Sequence, residues 1–193
     1  MMFTKKMRLE TGEAGFTFVE MMIVISLIAI ISAISYPSFI SMRGNYRLKA
    51  AAREVFNVLQ TNKMRAVKES MVIAVIFSDV TNTYKVCLSR NGDWTATPAD
   101  CGDPISLDSA VSFDRGASLT RPNNTTSTTD VEYSSGVAGF FQDGTGFEGD
   151  QTRINGVRYV YISSLNSPDV FAVGTNRVGL VQLYVWTGGA SWR

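Results

Sequence analysis

Glu20 is an acid that faces the wrong solvent. It is followed by twenty-two residues without a charge, as far as Arg43. An ionised carboxylate at the edge of such a run is costly to bury in hydrocarbon. The chemistry that relieves this cost is neutralisation by an ammonium. The local text, Gly15-Phe16-Thr17-Phe18-Val19-Glu20, offers one. Cleavage after Gly15 would free an amine on Phe16, four residues from Glu20 and so on the same helical face. The bland alternative is that Glu20 lies near a membrane interface and reaches water.

Catalysis has no comparable foothold. Histidine is absent, which removes the usual general base, zinc ligand and pH switch. A nucleophile would need Lys, Asp or Glu as its base, and no motif places one. Neither an enzyme nor a cofactor is expected. Asp143, Thr145, Glu148 and Asp150 lie in a glycine-rich loop whose oxygens could hold calcium. Their order is not that of an EF-hand, so the expectation is a solvated acidic turn and no metal.

Arg153, Arg158, Arg177 and Arg193 could gather near Trp186 and Trp192. Arginine beside aromatic rings suits single-strand or backbone binding of nucleic acid. Against it, residues 70–193 carry eight Lys/Arg and twelve Asp/Glu, a net −4, and no basic run. Cys87 and Cys101 close a short loop containing Asn91-Gly92 and Pro98. In an exported head that pattern suggests a disulfide, worth about 3 kcal/mol in the chain-entropy model; two unrelated buried thiols are the alternative. Asn123 and Asn124 each open an Asn-x-Thr triplet, a weak sign of glycosylation.

The elements that would position these residues can be read from periodicity. Residues 16–42 are long enough, at about 1.5 Å per residue, to cross the roughly 30 Å of bilayer hydrocarbon as a helix. A secretory signal peptide fits poorly, because its small-residue cut site follows the apolar core rather than preceding it. Pro37 lacks an N–H and crowds the carbonyl four residues back. A kink or locally melted helix is therefore expected over 33–44.

The helix continues over 46–69 with an apolar stripe of Leu48, Ala51, Ala52, Val55, Leu59 and Ala66. Asn62 interrupts the stripe and is expected at the helix rim. Residues 43–69 carry seven Lys/Arg and two Glu, a net +5, so a basic stem precedes an acidic head. Strands are expected over 71–77, 83–88, 105–113, from 131 to 133, and over 157–163, with Val157, Tyr159 and Tyr161 on one side. A late hairpin is expected over 170–173 and 178–186, joined through Gly174-Thr175-Asn176-Arg177. Residues 115–130 read as loop and 143–146 as a turn.

Gly15, Phe16-Thr17, Glu20 and an apolar helix containing Pro37 resemble the class III signal of type IV pilins and type II secretion pseudopilins. The resemblance covers about residues 10–40. It implies cleavage by prepilin peptidase between Gly15 and Phe16, and methylation of the new N-terminal Phe16. Pro37 would be residue 22 of the mature chain, where many family members carry proline. It also implies partners: the peptidase, other pilins or pseudopilins, and an inner-membrane assembly platform. Glu20 and Pro37 would serve assembly.

The family's fold is the expected one: α+β, a long N-terminal helix with a membrane-spanning and an amphipathic half, packed on an antiparallel β-sheet head. The divisions are a leader over 1–15, a transmembrane or filament-core helix over 16–42, a stem over 43–69 and a periplasmic or extracellular head over 70–193. The order of elements and the glycine-rich late hairpin look like the GspH/FimT branch of minor subunits. Family members of the FimT kind use C-terminal arginines in DNA uptake, which is why a DNA- or surface-binding tip pilin stands as the alternative. The charges Lys5, Lys6 and Arg8 before the span, against Arg43, Arg47, Lys49 and Arg53 after it, slightly favour the opposite orientation. The cut site must face a cytoplasmic-side peptidase, so a single pass through the bacterial inner membrane with a periplasmic head is expected.

Overall fold

The computed structural model describes residues 15–89, 101–118, 120–123, 125–189 and 191–193, with the side chains of 37–41 excepted. The leader residues 1–14, the Asn91-Gly92 and Pro98 segment and Asn124 lie outside the described residues. The chain divides into two compact units, Met1–Ile40 and Ser41–Arg193.

The first element is helix α1 (Phe18–Glu69). Thr17 caps its start, and its hydroxyl accepts the backbone N–H of Glu20 at 3.2 Å. Within the first unit every described residue from Gly15 to Tyr36 is exposed. Phe18–Tyr36 has a mean hydropathy of 2.4, long and apolar enough to cross a membrane. The helical assignment runs through Pro37, so the expected melted turn is not found.

The helix ends without glycine. Ser70 takes a left-handed conformation (φ 51°), and the N–H of Met71 reaches back to the carbonyl of Ala66 at 3.1 Å. This is the six-to-one bond of a Schellman cap, and it turns the chain into the first strand.

Within the second unit the strands form two antiparallel sheets. The larger contains β1 (Val72–Ser78), β2 (Thr83–Ser89), β3 (Ile105–Ser106), β4 (Val137–Phe140), β5 (Gly146–Glu148) and β6 (Thr152–Arg153), in the order β3-β2-β1-β4-β5-β6. The smaller contains β7 (Val157–Ser164), β8 (Ser167–Asn176) and β9 (Val181–Trp186), in that order.

The stem half of α1 shares one core with both sheets. Leu48, Ala51, Ala52, Val55, Leu59 and Ala66 are all buried, against Ile73, Val75 and Phe77 of the larger sheet and Val160, Ile162, Phe171 and Val173 of the smaller. Each fully buried Leu, Val, Ile or Phe contributes about 1.5–3 kcal/mol of transfer free energy. Asn62 belongs to this stripe rather than to the rim. It is buried, and its Nδ2 donates to the carbonyl of Val58 in its own helix at 2.8 Å.

The second face of each sheet is closed by an aromatic ring laid over a central glycine. A Cβ on Gly139 would sit 2.1 Å from the Phe147 ring, and one on Gly174 2.6 Å from the Tyr159 ring. Tyr159 and Tyr161 thus share the face away from the stem. Val160 and Ile162 point at it, which is why β7 is buried on both sides.

Three strand expectations need correction. Residues 105–113 are a strand only at Ile105–Ser106. Asp108 then accepts the N–H of Ala110 on its side chain and that of Val111 on its carbonyl, which turns the chain. Leu107, Val111 and Phe113 are buried from a loop. Residues 131–133 make only an isolated bridge, Val131 to Val160. The strand comes later, at β4, after a 3-10 turn at Ser134–Gly136. The late hairpin turns three residues further on: β8 runs to Asn176, whose side chain accepts the N–H of Leu180 at 2.9 Å.

The sheet edges are partly occupied. Along β7, Ser112 bridges to Ser163, and residues 130–132 pair with Tyr159 and Tyr161. Along β9, Arg193 exchanges two 2.9 Å backbone hydrogen bonds with Val185. The outer strands of the larger sheet, β3 and β6, are two residues each.

Candidate functional site

The N-terminal signal residues are accessible. Phe16 is 77% exposed. A Cβ at Gly15 would meet nothing within 4 Å, and Gly15 is not among the residues with positive φ. Packing and backbone geometry therefore do not require glycine there. Glu20 stands in the first turn of α1, its carboxylate in a helix whose next charge is Arg43. The sequence Thr17-Phe18-Val19-Glu20 has the Thr-x-x-Glu form of a capping box. Its spacing alone was enough to place the helix start, and the reading of Glu20 as a lone charge overlooked it.

In the head, Cys87 and Cys101 form a disulfide. Cys87 is fully buried. It lies opposite Ala74 in the register of β1 and β2, on the face away from the stem. The N–H of Gly102 donates to the carbonyl of Val86 at 2.9 Å, tying the far end of the bridge to the edge of β2.

Two of the three acids of the oxygen-rich loop, Asp143 and Glu148, pair with two of the arginines. Arg158 Nε lies 2.8 Å from Glu148 Oε2, with the Glu148 side chain 9% exposed. Arg153 lies 3.7 Å from Asp143, donates to Thr145 Oγ1 at 2.7 Å and sits over the Phe141 ring. Hydrogen bonds from Thr145 and the charge of Arg153 hold the Asp143 carboxyl below its ordinary range. The charges that suggested a metal loop and those that suggested a nucleic-acid patch thus neutralise one another. Among the described residues no cluster of three or more His, Cys, Asp or Glu could hold a metal. Arg177 and Arg193 are exposed and have no ion-pair partner among the described residues. The tryptophans do not frame an open patch: Trp192 donates to the carbonyl of Thr120 at 2.8 Å and Trp186 to that of Gly189 at 2.6 Å.

One charged centre was not anticipated. Glu132 Oε1 accepts from Arg121, Ser127 and Tyr161 at 2.8, 2.6 and 2.9 Å. With its side chain 2% exposed, it fastens the 115–132 loop to β7. Burial, then the Glu132 charge, pushes the Tyr161 hydroxyl well above its usual range. No local sequence signal marks a glutamate of this kind.

Residues 11–36 match the family described as the prokaryotic N-terminal methylation motif. No curated protein matches the chain significantly. Among solved structures, the minor pseudopilin EpsH from the type 2 secretion system of Vibrio cholerae aligns at 10% identity. The alignment covers 74% of this chain and 98% of that chain, with a TM-score of 0.43. The motif match covers residues 11–36, and beyond it an apolar helix leads into an antiparallel α+β head.

Proposed function

We propose that the chain is a minor pilin or pseudopilin. Prepilin peptidase cuts it between Gly15 and Phe16, Phe16 is methylated, and the subunit enters a type IV pilus or a type II secretion pseudopilus at or near the tip, where it helps initiate assembly. Before assembly it spans the bacterial inner membrane once with its head in the periplasm, docked to an inner-membrane platform and to other pilins or pseudopilins. The observation that carries this reading is the lone acid Glu20, one helical turn from the proposed new amine of Phe16 and ahead of twenty-two uncharged residues. A charge held at the bilayer centre costs about 3 kcal/mol on insertion scales. An ammonium and a carboxylate that meet between neighbouring subunits lose that cost together, and this sets register while the apolar helices supply cohesion.

The test is Glu20→Ala in the full chain, followed by quantitative mass spectrometry of sheared filaments. Membrane insertion and cleavage are expected to persist while incorporation falls. Normal incorporation would overturn the charge-pair account. Retention of the first fifteen residues by the exported protein would overturn the filament reading altogether.

A DNA- or surface-binding tip pilin is the second reading. It rests on Arg177 and Arg193, the two exposed arginines of the original four without an acidic partner among the described residues. Arg177→Ala and Arg193→Ala should reduce a DNA mobility shift across a salt series. No shift by the parent protein at low salt ends this reading.

A further inference from the structure

Two of the most exposed large apolar residues of the head are Leu165 (105%) and Val80 (90%). Both occupy turn tips. Leu165 begins the two-residue connection between β7 and β8, and Val80 lies in the Asp79-Val80-Thr81-Asn82 turn between β1 and β2. Such turns favour Gly, Asn, Asp or Ser, so turn chemistry accounts for neither residue. Single exposed apolar side chains are ordinary, and position is what distinguishes these two.

A chain of contacts brings both tips to the same end of the head. Gly44 abuts the β7–β8 turn so closely that a Cβ on it would lie 2.8 Å from the Asn166 carbonyl oxygen. Ser164 Oγ donates to the carbonyl of Ala110 at 2.7 Å. Arg47 pairs with Asp108 at 3.6 Å. Leu107 and Phe113 both donate their backbone N–H to Asn82, at 3.0 Å each, which fixes the Val80 turn beside them. Met42 (52%) and Tyr46 (66%) are exposed on the stem at this end. They border a groove that continues onto Phe171 and Val185. The opposite end of the head is the β8–β9 turn, where a Cβ on Gly179 would lie 3.2 Å from Lys63 Cε.

Arg43 is the first charge after the uncharged run, so it must reach the headgroup layer. Gly44, its neighbour, and the turns held against 44–47 are then level with that layer. The geometry points to a lipid-seating surface. Leu165 and Val80, with Tyr46 and Met42, dip into the phospholipid leaflet from which the stem emerges, and the unassembled head stands on the membrane. This inference rests on the membrane-anchored reading above. The occupant is the bilayer because the surface is continuous in sequence with the segment proposed to cross it, and tyrosine beside aliphatic tips is the composition that settles at such interfaces.

The test uses the full chain reconstituted into phosphatidylethanolamine–phosphatidylglycerol vesicles. Both native cysteines are in the disulfide, so Leu165→Cys, Val80→Cys, Val178→Cys and Ile28→Cys can each carry one polarity-sensitive nitrobenzoxadiazole label. Labels at 165 and 80 are expected to blue-shift on reconstitution and to be quenched by headgroup-attached nitroxide, while the label at 178, on the far turn, stays in water. If Ile28 reports hydrocarbon but 165 and 80 report water, the seating surface is wrong and the anchor stands. If 178 is quenched as strongly as 165, the assigned end is wrong. If Ile28 itself reports water, the anchor reading fails and takes this inference with it.

Discussion

The hydroxyl of Thr17 accepts the backbone N–H of Glu20 at 3.2 Å, so the first turn of α1 is capped by the residue three positions before its acid. The glutamate therefore has two separable contributions, its amide to the cap and its carboxylate to neutralisation. Glu20→Gln keeps the amide and removes the charge, and incorporation into filaments should fall. Thr17→Val keeps the charge and removes the cap acceptor. It should cost about 1 kcal/mol at the helix start, visible as faster hydrogen exchange over 18–22, with incorporation retained. Equal incorporation by the two variants would mean that the carboxylate has no role of its own.

The Arg158–Glu148 pair makes a stability prediction. Arg158→Ala removes the arginine from a nearly buried carboxylate that also accepts the N–H of Ser134, at 3.3 Å. The loss should be about 2 kcal/mol, read as a lower urea midpoint with unchanged slope. Replacing Glu148 by Gln in the same chain should recover part of it, because no charge is then left buried. An additive double-mutant cycle would show that the pair is not coupled.

Reduction of Cys87–Cys101 releases a closure spanning 14 positions. In the chain-entropy account the head loses about 3 kcal/mol, so dithiothreitol should shift denaturation of the chain in detergent to lower urea. An unchanged midpoint would show that the edge of β2 is held by backbone pairing alone.

Buried tyrosines set an alkaline limit. Burial pushes the Tyr159 hydroxyl from 10.0 up to about 12, and Tyr84, Tyr133 and Tyr161 higher still. A folded-state pKa above the unfolded one means that the neutral phenol favours the fold. The contribution is whole below pH 10 and is lost as pH rises through 12. Phenolate absorbance should lag behind model tyrosine and then rise together with loss of β-sheet circular dichroism. Titration of all seven tyrosines at 10 without unfolding would contradict the burial.

Much of the architecture was legible because it is periodic. The stem stripe from Leu48 to Ala66 repeats at helical spacing, and every residue of it is buried. β1, β2 and β7 are continuous or alternating apolar runs, so they were found to within a residue or two. β4, β5 and β6 were missed because they are two to four residues long, and β4 and β5 each spend one position on glycine. In β4 the Phe147 ring of β5 covers the space that a side chain at Gly139 would fill. At the candidate sites, the N-terminal acid stood out because no charge follows it for twenty-two residues. The Arg153–Asp143 and Arg158–Glu148 pairs were hidden because they join residues ten apart through a fold rather than a helix face, and each half alone suggested a binding function. Asn62 was misplaced because a polar residue in an apolar stripe normally seeks the rim, whereas this one bonds its own helix.

The strand edges have a consequence for how copies of this chain can join. β7 is bordered by residues 112 and 130–132, β9 by Arg193, and the remaining outer strands are two residues each. These contacts shorten the free edges, and short edges blunt strand-to-strand joining. Among the described residues the longest exposed apolar run is the helix from Phe16 to Tyr36, and the proposed assembly would rest on helix-on-helix association along it.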